Sequence, residues 1–159
     1  MAVTEQREPG RAPANGESLG GLLAAIASLL AGAARADVVL VRTLDGARGL
    51  VARTVITHDE ALAGELEGSR LDPGELPAST LEQLDAAPAA VRRAATLAGA
   101  DVLLLLPVRL VGEPVASLEL LRAHEPFRDE ERLAARVAAA QIELAVRSLA
   151  ETGTRGLDR

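Results

Sequence analysis

The pattern of apolar and polar positions is sharpest between Asp101 and Leu149. It divides there into a strand, a turn, a second strand and a long helix. Asp101 to Leu110 (Asp-Val-Leu-Leu-Leu-Leu-Pro-Val-Arg-Leu) reads as a strand, and its apolar run predicts that both faces are covered. After the turn Val111-Gly-Glu-Pro114 the next segment, Val115 to Arg122, alternates. Ala116, Leu118 and Leu120 share one side, and Ser117, Glu119 and Leu121 share the other, so one face of this strand must meet a partly polar environment.

The final helix is expected from about Asp129, just after Phe127, to about Ala150, and it carries two apolar stripes. Leu133, Val137, Ala140 and Leu144 make one. Ala135, Ala139, Ile142, Val146 and Leu149 make a second, nearly opposite, with Arg132, Arg136, Glu143 and Arg147 between them. A helix that covers a single core needs one stripe. The second stripe, Ala135 to Leu149, is therefore expected to meet a helix of another copy of the chain, giving a homodimer; a helix sandwiched inside one domain is the alternative.

The earlier chain reads in the same way. Ser18 to Ala34 is apolar with helical spacing: Leu19, Leu22, Leu23, Ile26, Leu29, Leu30 and Ala33 fall on one face. Asp37 to Leu44 and Leu50 to Thr57 are strand-like and are joined across the turn signal Asp45-Gly46. From Asp59 to Gly99 the pattern is of short helices and loops, broken at Asp72-Pro-Gly74 and Leu76-Pro77. Thr80-Leu-Glu-Gln83 has the form of a capping box before a helical turn, and Ala89 to Leu97 is a helix stopped by Gly99. Residues 1–17 and 151–159 lack periodicity and are expected to be tails around one domain, 18–150. The order predicts an α+β fold: an antiparallel sheet with the N- and C-terminal helices on one face and the short helices and loops on the other.

Composition narrows the chemistry. The net charge of −6 argues against nucleic acid as a direct partner. The apolar run at 18–34 is short for a membrane span and diluted by alanine and glycine. Ala34-Arg-Ala36 would suit a signal cleavage site, but Glu5, Glu8 and Glu17 offset Arg7 and Arg11, so the positive leader is missing. A cytoplasmic module without membrane contact is the expectation. With no cysteine there is no disulfide, thiolate metal site or thiol nucleophile. All basic residues are arginine, and Phe127 is the sole aromatic ring. Between Asp59 and Asp85 eight carboxylates stand against Arg70 alone. This run reads as a solvated cover or as a site for a cation or amine.

The last third of the chain resembles a GAF domain. The resemblance rests on Gly99-Ala-Asp-Val-Leu-Leu-Leu-Leu-Pro-Val108, Val111-Gly-Glu-Pro-Val115, Ser117-Leu-Glu-Leu-Leu121, and Pro126-Phe127 before the acidic helix start Asp129-Glu-Glu-Arg-Leu133. Ser117 stands where many members have glycine, and residues 86–98 read as helix where many have an extra strand. The resemblance implies a sensory or regulatory module. Such a module binds a small molecule between the sheet and the middle helices, or has lost its ligand and serves as a dimerising connector. Its output partner would be a histidine kinase, a phosphatase, a cyclase or a transcription regulator. A ligand-free interaction domain of this fold or of the roadblock type is the alternative.

The chemistries that the resemblance brings with it meet the residues unevenly. The cyclic-nucleotide signature requires a lysine, and bilin attachment and methionine-sulfoxide reduction require cysteine; the chain has neither residue. Haem would need His58 or His124. No catalytic triad, phosphate loop or metal spacing stands out, so the expectation is a non-enzyme with no metal and no identified cofactor. Strand alternation nominates Arg53, Ser117 and Glu119 as polar pocket lining, with Arg42 and Arg92 at the rim and His58 near the mouth. Arginine there would suit an anionic group on a ligand.

Overall fold

In a computed structural model the placement of residues 15–157 is described, with side chains from Leu19 to Thr152. The tail expected at the N-terminus lies outside the described residues as far as position 14. A helix, α1, already begins at Asn15 and runs to Ala33. Strands β1 (Val38–Leu44) and β2 (Leu50–Thr57) form the first hairpin. Helix α2 (Glu60–Leu66), the two-residue strand β3 (Arg70–Leu71) and helix α3 (Ala89–Ala98) follow, with short 3-10 turns between them. Strands β4 (Val102–Leu110) and β5 (Glu113–Arg122) form the second hairpin, and α4 (Asp129–Leu157) closes the chain. Helix α4 continues past Ala150, so the backbone expected to be a tail there is helical through Leu157.

The sheet has the order β3-β2-β1-β5-β4, with every pair antiparallel. The two hairpins meet where β1 pairs with β5. Alternation along these strands builds two cores. Val39, Val41, Leu104, Leu106, Leu118 and Leu120 face α1 and α4, where Leu23, Ile26, Ala27 and Leu30 of α1 and Ala135, Ala138 and Ile142 of α4 cover them. Val38, Leu40, Leu103, Leu105 and Leu121 face the other way, under Leu66 of α2, Leu71, Leu76 and Val91, Ala94 and Ala95 of α3. The layered α+β arrangement expected from the pattern is the one observed. Leu103 to Leu106 are all buried, as an apolar strand with two covered faces requires.

Local signals act where the chain turns. Gly99 ends α3 at φ 65, in the left-handed region that glycine enters without a side-chain clash. Gly49 is needed for a second reason. At φ 79 its backbone lies so close to Leu71 that a Cβ would stand 2.9 Å from the Leu71 carbonyl oxygen. One local signal is overridden. A 3-10 turn, Leu84–Ala86, does follow Thr80 to Gln83, but Gln83 at its start makes no side-chain cap to it; Leu81 instead pairs with Leu105 on the free edge of β4, through N–H···O bonds of 2.9 and 2.8 Å. The capping box loses because the edge strand presents unpaired backbone groups that this segment can satisfy. Pro107, which has no N–H to offer, further blunts the same edge.

Candidate functional site

The space between the sheet and the middle segment is packed with leucine, alanine and valine side chains around one ion pair. Arg42 of β1 and Glu119 of β5 both lie on this face, on neighbouring strands, and both are fully buried. The Arg42 Nε donates to Glu119 Oε2 at 2.6 Å, and Nη2 donates to Oε1 at 3.4 Å. Nη1 reaches the loop after α2 and donates to the Ser69 carbonyl oxygen at 2.8 Å and to Ser69 Oγ at 3.0 Å. Ser117 Oγ donates to Glu119 Oε2 at 3.4 Å. The polar face predicted for β5 is real, and its charge is neutralised by an arginine in the adjacent strand. Among the described residues no buried side-chain nitrogen or oxygen lacks a partner.

Of the nominated lining residues, Arg42, Ser117 and Glu119 come together, and Arg53, Arg92 and His58 do not join them. Arg53 is exposed and donates to Asp45 Oδ2 at 2.6 Å. The reason is a β-bulge. Val41 pairs with Thr54 and Arg42 with Ala52, which leaves Arg53 as the unpaired extra residue. The bulge resets the alternation on β2, so Arg53 points away from the face that simple counting assigned to it. Arg92 is exposed on α3, and His58 is exposed at the end of β2. Ser69 and Arg109 were not nominated. Arg109 Nη2 donates to the carbonyl oxygens of Leu76 and Pro77, both at 3.1 Å, and fastens the middle segment to β4. No local pattern marks these contacts, because their partners are backbone oxygens distant in sequence.

The terminal helices carry the second candidate site, and here a correction is needed. Ala135 and Ile142, expected at a dimer interface, are fully buried in the domain's own core, and Ala139 and Val146 pack against that core. The exposed stripe is the other one: Leu133, Val137 and Leu144 are each more than half exposed. Small side chains let α4 sit close to the sheet and α1, so the alanine-rich stripe turns inward and the bulky stripe is left outside. Leu22 and Leu29 of α1 are exposed beside it, at 48% and 78%. Together they line two adjoining grooves between α1 and α4, of about 620 and 400 Å³, which share Ile26, Leu29 and Gln141. Leu149, the remaining residue of the expected interface, lines the larger groove. Glu130 is the one charged residue in either lining.

A smaller cleft, about 260 Å³, lies between α2 and α3 and is lined by Leu66, Ser69, Arg70, Arg93 and neighbouring alanines. Among the described residues no group of three histidine or acidic side chains could hold a metal. No described helix is long and apolar enough to cross a membrane.

This arrangement defines a class of α+β module: a five-stranded sheet with a filled inner face and paired terminal helices. No family model matches the chain, and no curated protein sequence does. Solved structures do. The GAF domain/HD domain protein from Geobacter sulfurreducens superposes with a TM-score of 0.67 at 15% identity, over 82% of this chain and 93% of that one. The blue-light-absorbing form of the PixJ GAF domain from Thermosynechococcus elongatus gives 0.67 at 9% identity, over 89% and 93%. The type II free methionine-R-sulfoxide reductase from Thermoplasma acidophilum gives 0.65 at 15%, over 86% and 96%. The fold is that of GAF domains.

Proposed function

We propose that this chain is a non-catalytic regulatory module of the GAF type that signals by pairing with a second copy of itself through α1 and α4. One observation carries the reading: Leu22 and Leu29 of α1 and Leu133, Val137 and Leu144 of α4 form a single exposed apolar stripe along the two helices. A second copy suits it as occupant. The stripe is nearly uncharged, so it offers nothing to an acidic or basic partner, whereas an apolar face is complementary to itself across a two-fold axis. Size agrees. A face two helices wide and as long as α1 is roughly 30 Å by 20 Å, about 600 Å², close to the ~800 Å² per partner of a stable interface. Such a pair could pass a change in helix arrangement to a kinase, phosphatase, cyclase or transcription regulator.

The leucine, alanine and ion-pair filling beneath the middle segment supports the connector form of this module over the small-molecule sensor. A ligand there would have to displace Glu119 from Arg42, leaving the guanidinium charge with only the neutral Ser69 oxygens as partners. Sedimentation velocity of the purified chain tests the proposal. A dimer that becomes a folded monomer on Leu133→Asp with Leu144→Asp supports it. A monomer at tens of micromolar for the unmodified chain overturns it.

A further inference from the structure

Arg122, the last residue of β5, is 9% exposed and is not absorbed by either site described above. Its guanidinium gathers groups from three separate segments. From the end of α1, the carbonyl oxygen of Ala34 accepts from Nη2 and that of Arg35 accepts from Nε at 3.2 Å. From the loop before α4, the carbonyl oxygens of Glu125 and Pro126 accept from Nη1 at 3.3 and 3.2 Å. From α4 itself, Glu131 Oε2 accepts from Nη2 at 2.7 Å. The guanidinium carbon lies 4.2 Å from the centre of the Phe127 ring.

A second observation is independent of this bonding. Among the described residues only three non-glycine positions have positive φ: Arg35 at 51, Val111 at 51 and Glu125 at 64. Two of the three supply carbonyl oxygens to Arg122. Backbone in this region is disfavoured for a residue with a side chain and persists where surrounding structure holds it. Both strained turns therefore sit at the ends of the two helices, with one side chain joining them. Glu131 closes the arrangement, since its Oε1 accepts from the Arg128 N–H at 2.8 Å and so also fixes the first turn of α4.

We infer that Arg122 is a positioning residue that sets the placement of α1 relative to α4, and that its release lets the two helices shift while the sheet and its inner core stay formed. The inner core shares none of these contacts: Arg42, Glu119 and the α2–α3 cover hang on other residues. The inference concerns the helix pair within one chain and holds whether or not two chains associate.

Distances between spin labels read this directly, and the absence of cysteine in the natural chain allows clean labelling. One pair is placed on exposed Ser28 of α1 and exposed Arg136 of α4, and a reference pair on exposed Arg53 of β2 and Arg92 of α3. Each labelled chain is diluted with unlabelled protein so that only distances within a chain are seen. The variants are Arg122→Met, Arg122→Lys and Glu131→Gln. The α1–α4 distance is expected to shift or broaden by about 2 Å or more in Arg122→Met, the scale of helix shifts at interfaces, while the reference distance is unchanged. Arg122→Lys is expected not to restore it, because one ammonium cannot reach acceptors on three segments. An unchanged α1–α4 distance in folded Arg122→Met overturns the inference. If Arg122→Met does not fold, unchanged distances in both Arg122→Lys and Glu131→Gln overturn it equally, and a shift in either supports it.

Discussion

The two faces of the sheet are built from the same kinds of strand residue, but the covers laid over them differ. The inner face, under α2 and α3, is closed: its leucines and alanines interlock, and its charges, Arg42 and Glu119, neutralise each other out of water. The outer face is closed too, but the helices that close it carry apolar side chains on their far sides. The difference lies in what each cover must do. Segments as short as α2 and α3 have one inward surface to satisfy. Long helices such as α1 and α4 have two usable surfaces, and here the second is left exposed.

The sharpest break of this comparison comes from two residues on the same helix. Ile142→Asp puts a carboxylate into the outer core, where the side chain is fully buried. It should cost about 4 kcal/mol or more, leaving an unfolded or molten chain by circular dichroism and thermal melting. Leu144→Asp, two positions on, should leave the fold intact and act on association alone. If both variants stay folded, or both unfold, the assignment of inward and outward stripes is wrong.

The inner face should break at its ion pair. Glu119→Ala strands the Arg42 guanidinium in the core, and removing one partner of a buried pair typically costs about 3–5 kcal/mol. That corresponds to a fall in Tm on the order of 10 °C for a domain of this size. The double change Arg42→Met with Glu119→Leu should recover much of the loss, since apolar replacement of both partners removes the uncompensated charge. A double variant as unstable as Glu119→Ala would mean the pair does more than fill the face.

Acid should act on the outer face through Glu131. Burial works to raise its pKa, but the hydrogen bonds from Arg122 and the Arg128 N–H, with the positive charges of both residues, outweigh burial and hold the carboxyl below its ordinary range. A carboxyl lowered on folding stabilises the native state above its unfolded pKa, and that contribution disappears as pH falls through the folded value. Melting temperatures should therefore drop below about pH 4, and the drop should be shallower in Glu131→Gln. An equally steep decline in that variant would place the acid sensitivity elsewhere. The smallest effect is expected at Arg53→Ala. The Arg53–Asp45 pair is exposed on both sides, so its loss should change stability by less than about 1 kcal/mol in denaturant titration.

Much of this fold can be read from local pattern. The Leu103–Leu106 run, the alternation of Ala116 to Leu121, the Asp45-Gly46 turn and the Gly99 stop each follow from side-chain period or backbone freedom, which are properties of neighbours in sequence. The same reasoning reached Arg42, Ser117 and Glu119, because a polar position inside an apolar strand is visible without a structure. It placed Arg53 with them because a one-residue bulge leaves no mark in composition. It also reversed the stripes of α4. Both stripes of that helix are apolar, and period alone cannot say which one a sheet will take.

Sequence by itself determined that this chain forms antiparallel hairpins between terminal helices, and that one strand carries charge inward. Only the tertiary structure decided that Glu119 meets Arg42, that Arg122 joins the ends of α1 and α4, and that Leu133, Val137 and Leu144 remain outside. The physical reason is the range of the interactions. Period, turns and caps act over a few residues, whereas a buried charge or a packed helix is satisfied by whatever the fold brings beside it.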